Sequence, residues 1–252
     1  MFSESIKLLA FALVLLGYQQ SSAAAEFEVE VLYEMRQQLI DNSGVLNDWK
    51  DNQMSPCYWD HVTCQDNKVT TISLSSCGLS GVLSPSIAKL TTLEQLLLDG
   101  NSITGGIPPY GNLSSLKTLN LGRNYLDGSI PDSLDRLPML QILDLSLNNL
   151  GGLIPSSFSN IPTLNNINLT YNNLIGEIPQ NLLQVAKYNY TGNYLHCSQH
   201  SFPCEGVNPR TGRVPPPPRD PPPGARATAQ GEHTMLCRDE GCALPLPTST
   251  TG

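Results

Sequence analysis

The residues able to do chemistry in this chain are few, and most lie toward its ends. Cys57 and Cys64 stand at the same interval as Cys197 and Cys204. A matched Cys-x6-Cys at each end reads as two short-loop disulfides, each worth roughly 2–3 kcal/mol through the chain entropy it removes. Cys197, His200 and Cys204 could instead ligate a metal ion, but the mirrored front pair favours disulfides. Seven cysteines are an odd number, so at least one stands outside intramolecular pairing. The histidines, His61, His196, His200 and His233, follow no helical metal-binding pattern. There is no phosphate-cradling glycine loop, no set of kinase catalytic motifs and no nucleophile elbow, and Asp132 and Asp135 read as a solvated edge. The sequence therefore predicts a non-enzyme without metal or cofactor. What remains is acceptor chemistry: Asn112, Asn168 and Asn189 each head an Asn-x-Ser/Thr sequon for N-glycosylation.

Such chemistry requires the secretory route, and the start of the chain supplies one. Lys7 precedes an apolar run from Leu8 to Tyr18, followed by "QQSSAAA", so residues 1–25 read as a signal peptide ending at Ala25. The apolar run is well short of the roughly 20 residues that span a bilayer. Of the formal net charge of −8, residues 26–208 carry −9, which gives no electrostatic footprint for nucleic acid or an anionic membrane.

The elements that must position these residues are repeats. From Val69 onward the pattern Leu-x-x-Leu-x-Leu-x-x-Asn-x-Leu-x-Gly-x-Ile-Pro recurs five times, with its ninth position at Cys77, Asn101, Asn124, Asn148 and Asn172. That period and pattern define an α/β leucine-rich-repeat solenoid with short parallel strands on its concave face. Within each strand, alternate residues such as Leu119 and Leu121 face the core. The Asn column is expected to satisfy the backbone groups of adjacent turns, and Cys77 to serve there as a buried free thiol. Repeat two, "GGIPPYGNL", is one residue shorter on its outer side than "GSIPDSLDRL".

An open solenoid must cover both ends. Residues 26–68 form an amino-terminal cap with a helical segment bearing Leu32, Met35 and Leu39, and with Trp49 and Trp59 as lids. Five repeats occupy 69–187 and a carboxy-terminal cap 188–208. Residues 209–252 form a Pro-rich tail with no aromatic residue, expected to be disordered.

"LNDWKDNQMSPCYWDHVTC" resembles the paired-cysteine cap of plant leucine-rich-repeat receptors, and Gly-x-Ile-Pro marks the plant-type repeat. With five repeats and "YNYTGNYLHC", residues 26–208 resemble the ectodomain of the somatic embryogenesis receptor kinase-like subfamily. The resemblance implies a co-receptor: a small ectodomain binding a larger leucine-rich-repeat receptor that holds a peptide or small-molecule ligand, outside the cell. Relatives use an aromatic-His pair in the cap and tyrosines on strands two and three. Here Asp60 replaces the aromatic, His61 is retained, and Gln95, Asp99 and Gly122 occupy the tyrosine positions, so the relatives' ligand set does not carry over. A membrane span and kinase would follow in the family. None is present, which predicts either a secreted form or a truncated gene model of a plasma-membrane protein.

Solvent-facing strand positions supply the candidate partner surface. Between the core residues stand Ser73, Leu97, Asn120, Asp144 and Asn168, and just beyond each strand Ser76, Gly100, Arg123, Leu147 and Tyr171. Leu97, Arg123, Leu147 and Tyr171 are the anchor types of interfaces, joined by Asn120, Asp144 and His61. Asn112 is expected on the outer side and Asn189 near the back cap. A glycan on Asn168 would confine binding to the front cap and repeats one to four. The alternative function is a secreted inhibitor of cell-wall-degrading hydrolases such as polygalacturonase.

Overall fold

A computed structural model of the chain describes residues 25–196 and, beyond them, the backbone of two paired three-residue strands, Leu236–Arg238 and Gly241–Ala243. Six short strands lie parallel in one sheet: Lys68–Ser73, Gln95–Leu97, Thr118–Asn120, Ile142–Asp144, Asn166–Asn168 and Lys187–Asn189. Their middle residues are register partners, and Ile72, Leu96, Leu119, Leu143 and Ile167 are fully buried. Each buried aliphatic side chain contributes about 1.5–3 kcal/mol, so the stack is held by a continuous apolar column. Val62–Gln65 closes the front edge antiparallel to Lys68–Ser73. The connecting Asp66 and Asn67 are both left-handed, at φ +51° and +57°, as a two-residue hairpin turn requires.

The Asn column joins one turn to the next. The Asn101 Oδ1 accepts the N–H groups of Cys77 and Leu79 at 3.1 and 3.0 Å, and its Nδ2 donates to the Leu74 and Leu98 carbonyls at 2.7 and 2.9 Å. Asn124, Asn148 and Asn172 repeat this arrangement. Asn193 adds a further rung, accepting from Leu174 N at 3.0 Å and donating to the Leu169 carbonyl at 2.8 Å. The ladder thus runs into the region assigned to the back cap. Tyr188 and Tyr190 stand in the leucine positions of that turn, Tyr190 buried and stacked on the half-exposed Tyr188.

Cys77 heads the column and is fully buried, but the expected free thiol is corrected: it is disulfide-bonded. Within residues 25–196 Cys57 and Cys64 pair with each other, so the partner of Cys77 lies outside that span. The physical reason is that sulfur does not serve the column as a carboxamide does. The Cys77 sulfur lies 3.5 Å from the Ser75 carbonyl oxygen and is bonded covalently in place of a carboxamide's hydrogen bonds.

Extended segments after each Asn form a second pair of sheets, one joining Leu39–Ile40, Ser80–Val82, Ser102–Gly105 and Tyr125–Leu126, the other Gly151–Leu153, Asn173–Glu177 and Tyr194–His196. Short 3-10 turns at Pro85–Lys89, Asp132–Arg136, Ser156–Asn160 and Gln180–Gln184 make the outer side. They bury Ile87, Leu134, Phe158 and Leu182. The shortened repeat two has no such turn; Tyr110 fills the volume, and its hydroxyl donates to the Ser84 carbonyl at 2.9 Å. Burial raises the pKa of that hydroxyl.

In the front cap a helix spans residues 25–38 and buries Leu32 and Met35. Leu39 is buried too, but as a strand residue paired with Gly81, not as the next helical turn. Gly81, at φ +101°, permits this: a Cβ there would fall on the Gln38 carbonyl oxygen. Trp49 and Trp59 are buried and stacked, with ring centroids 5.4 Å apart. Their N–H groups donate to the Asp60 carbonyl at 3.0 Å and Gln53 Oε1 at 2.6 Å. The Cys57–Cys64 disulfide ties this loop to the edge strand. The signal segment before Ala25, the Cys197–Cys204 pair, His200, and most of the tail lie outside the described residues.

Candidate protein-binding surface

Parallel register turns sequence positions into straight rows across the concave face. Ser73, Leu97, Asn120, Asp144 and Asn168 are successive register partners, about 4.8 Å from strand to strand. The polar members of the row and the residues beside them hold one another in place. Asn120 Nδ2 and Ser75 Oγ both donate to Asp99 Oδ1, at 2.9 and 2.6 Å. Asp144 receives the Ser146 N–H on Oδ1 at 2.9 Å and Asn168 Nδ2 on Oδ2 at 3.0 Å. A floor fixed in this way loses little side-chain entropy when a partner lands on it.

The second set of candidates has a property that side-chain pattern did not reveal. Ser76, Arg123, Leu147 and Tyr171 are left-handed, at φ +54°, +55°, +54° and +54°, in one column with Gly100 and Gly192 at +71° and +77°. The chain must turn there to send the next Asn inward, and an L side chain pays about 1–2 kcal/mol for that backbone. The glycines in this column were the available signal. Arg123 is exposed, whereas Leu147 and Tyr171 are half-buried. Tyr171 is not an open anchor: a Cβ on Gly192 would collide with its ring, so Tyr171 lies over the last turn.

His61 is half-buried and left-handed at φ +68°, and its carbonyl accepts Ser73 N–H at 2.9 Å. It therefore stands at the front of the row that begins with Ser73. Sequence reasoning passed over two neighbours in this cap, Tyr58 and Met54, which are 86% and 82% exposed. Tyr58 and Trp59 are adjacent in a short disulfide loop, and with Trp59 buried Tyr58 faces out. Asn112 is exposed beside the outer segment of repeat two. Asn189, expected only near the back cap, lies on the last concave strand as the register partner of Asn168. Among the described residues no group of three His, Cys, Asp or Glu side chains could hold a metal ion, and no helix is long and apolar enough to cross a membrane.

A parallel sheet of short repeated strands, an Asn ladder joining its turns and a disulfide-tied cap define a leucine-rich-repeat solenoid. Residues 25–65 match the leucine rich repeat N-terminal domain, and residues 68–90 and 109–150 match leucine rich repeat models. A probable LRR receptor-like serine/threonine-protein kinase of Arabidopsis thaliana is 45% identical over 90 residues, which is 35% of this chain and 15% of that protein. Among solved structures, the BIR3–SERK2 complex of Arabidopsis thaliana matches at 33% identity and TM-score 0.62, covering 67% of this chain and 95% of that one. The BIR2 ectodomain of the same plant matches at 29% identity and TM-score 0.63, covering 68% and 95%. The chain belongs to the leucine-rich-repeat ectodomain family of plant receptor kinases. It spans 9–15% of the length of three matching Arabidopsis thaliana proteins.

Proposed function

We propose that this chain is an extracellular recognition module of the somatic embryogenesis receptor kinase-like type, docking on a larger leucine-rich-repeat receptor ectodomain and on the peptide or small molecule that receptor holds. The domain plan is a signal peptide over 1–25, front cap over 26–68, five repeats over 69–187, back cap over 188–208 and tail over 209–252. The observation that carries the reading is the placement of Leu97, Asn120 and Asp144 in one row and Arg123 and Leu147 in the next. Asn120 and Asp144 are held by side-chain hydrogen bonds, and the backbone at Arg123 and Leu147 by N–H bonds to the next turn. His61 stands at the front of the first row, with the exposed Tyr58 and Met54 in the same cap, offering the aromatic contact that Asp60 does not. The similarity to the BIR3–SERK2 complex supports a protein partner of the same kind. No catalytic role is assigned; binding brings the module to its receptor or withholds the receptor from competitors.

The test is a pairwise screen by biolayer interferometry of the secreted chain against leucine-rich-repeat receptor ectodomains, with and without their ligands. Saturable binding to at least one ectodomain is expected. Binding to none of them would remove the proposal.

A further inference from the structure

The last two concave strands carry paired acceptors. Asn168 and Asn189 are register partners on Asn166–Asn168 and Lys187–Asn189, so their side chains leave the same face about 4.8 Å apart. Each heads a sequon, Asn168-Leu169-Thr170 and Asn189-Tyr190-Thr191. Strand alternation buries the middle residue, Leu169 or Tyr190, and so leaves each acceptor Asn on the open face; Thr191 is half-buried, whereas Thr170 is buried beside Asn168. In each, the Asn Oδ1 accepts the N–H two residues on, at 3.3 Å from Thr170 and 3.2 Å from Thr191, and Thr170 Oγ1 adds a bond at 3.0 Å. This Asx turn sets amide and hydroxyl side by side.

The corresponding pairs on the preceding strands are Ser73/Ser75, Leu97/Asp99, Asn120/Gly122 and Asp144/Ser146. Repeat three has the amide without the hydroxyl, and repeat four the hydroxyl without the amide. Acceptor chemistry therefore begins sharply at Asn168 and continues on the adjacent strand. Asn168 keeps one N–H for Asp144 Oδ2, now at 3.0 Å, after its other hydrogen is replaced, so the floor survives modification there. Asn189 is exposed.

We propose that Asn168 and Asn189 form one two-acceptor N-glycan site that closes the carboxy-terminal end of the concave face, leaving the partner the front cap and repeats one to four. This rests on the extracellular reading above. The donor is an oligosaccharide on a polyprenyl pyrophosphate. Asn Nδ2 bonds to the anomeric carbon of the sugar, the bond from that carbon to the pyrophosphate oxygen breaks, the lipid pyrophosphate departs with the electron pair, and one amide proton leaves. Lys187, exposed on the same strand, lies under the attached sugar, while Lys117, in repeat three, does not.

The experiment is secretion of the full chain from a mammalian cell line, followed by peptide N-glycosidase treatment in oxygen-18 water and mass spectrometry. Labelled Asp is expected at Asn189, at Asn168, or at both. Deglycosylation is expected to speed acylation of Lys187 by an amine-reactive ester at least threefold and to leave Lys117 unchanged. The Asn168→Gln/Asn189→Gln double variant should show the fast Lys187 rate without enzyme treatment. Absence of label from both residues, whatever the state of Asn112, overturns the site. An unchanged Lys187 rate overturns the shielding. Neither readout involves a receptor, so failure here is separable from failure of the binding screen.

Discussion

The Asn148 carboxamide oxygen accepts the Leu126 N–H from the preceding turn at 2.9 Å, while its nitrogen donates to the Leu121 carbonyl of that same turn at 2.9 Å. One side chain thus closes two backbone groups that the curved stack leaves without ladder partners, and the side chain itself is fully buried.

Replacing Asn148 with Leu strands the Leu126 donor and leaves the Leu121, Leu145 and Ser146 carbonyls short of a donor. At about 1–3 kcal/mol per unsatisfied buried group, the expected loss is roughly 3–5 kcal/mol. Urea unfolding followed by circular dichroism reads this directly. A loss under about 1 kcal/mol would show that water replaces the carboxamide.

Leu147 precedes Asn148 and behaves in the opposite way. Asn tolerates the left-handed region far better than Leu does, so Leu147→Asn is expected to stabilise the fold by roughly 0.5–1 kcal/mol while weakening partner binding. A variant that loses stability would place Leu147 in the packing of the solenoid and not in recognition.

The front cap should open when Gly81 gains a side chain. Both the +101° φ and the approach of the Gln38 carbonyl exclude a Cβ. Gly81→Ala is therefore expected to detach the Leu39–Ile40 strand and to cost about 2 kcal/mol or more. Hydrogen exchange should quicken at Leu39 and Ile40 with the last turns unchanged. Uniform quickening along the chain would mean that cap and repeats unfold as one unit.

Glu28 gives the cap a pH dependence. It is buried and accepts the Val69 N–H at 3.3 and 3.2 Å. Burial raises its pKa above 4.5, against the Val69 N–H, the Lys68 charge and the Thr92 hydroxyl, which lower it. The folded state thus holds the proton more tightly than the unfolded chain, so the contribution of this group to stability falls as pH rises through 4.5 and then through the folded-state value. Glu28→Gln keeps an acceptor and removes the charge. The variant should unfold at higher urea than the parent at pH 7.5, with the advantage shrinking by pH 4; an advantage independent of pH would refute the assignment.

Much of this architecture is legible from spacing alone, because each residue of the repeat answers one physical demand. Leu119 and Leu121 fill the core, Asn124 satisfies the turn, and both follow from offsets along the chain. Asn193 was harder to see because tyrosines replace leucines at 188 and 190 and the interval from Asn172 shortens. The left-handed column is a backbone property, and Arg123, Leu147 and Tyr171 conceal what Gly100 and Gly192 disclose. Leu39 satisfied a helical period, yet strand pairing with Gly81 decided its conformation. Cys77 looked like a substitute for Asn because size and position agree, while its bonding depends on chain far away in sequence. The concave pairing of Asn168 with Asn189 depended on a sixth strand that the template did not contain.

The most direct test of the central claim compares the parent chain with Arg123→Ala/Leu147→Asn in binding to the receptor ectodomain found in the screen, after a cooperative urea transition with a midpoint no lower than the parent's confirms folding. The account predicts at least a tenfold loss of affinity, about 1.4 kcal/mol, with stability held or raised. Equal affinity for the two proteins would place recognition elsewhere on the molecule and contradict a concave partner surface.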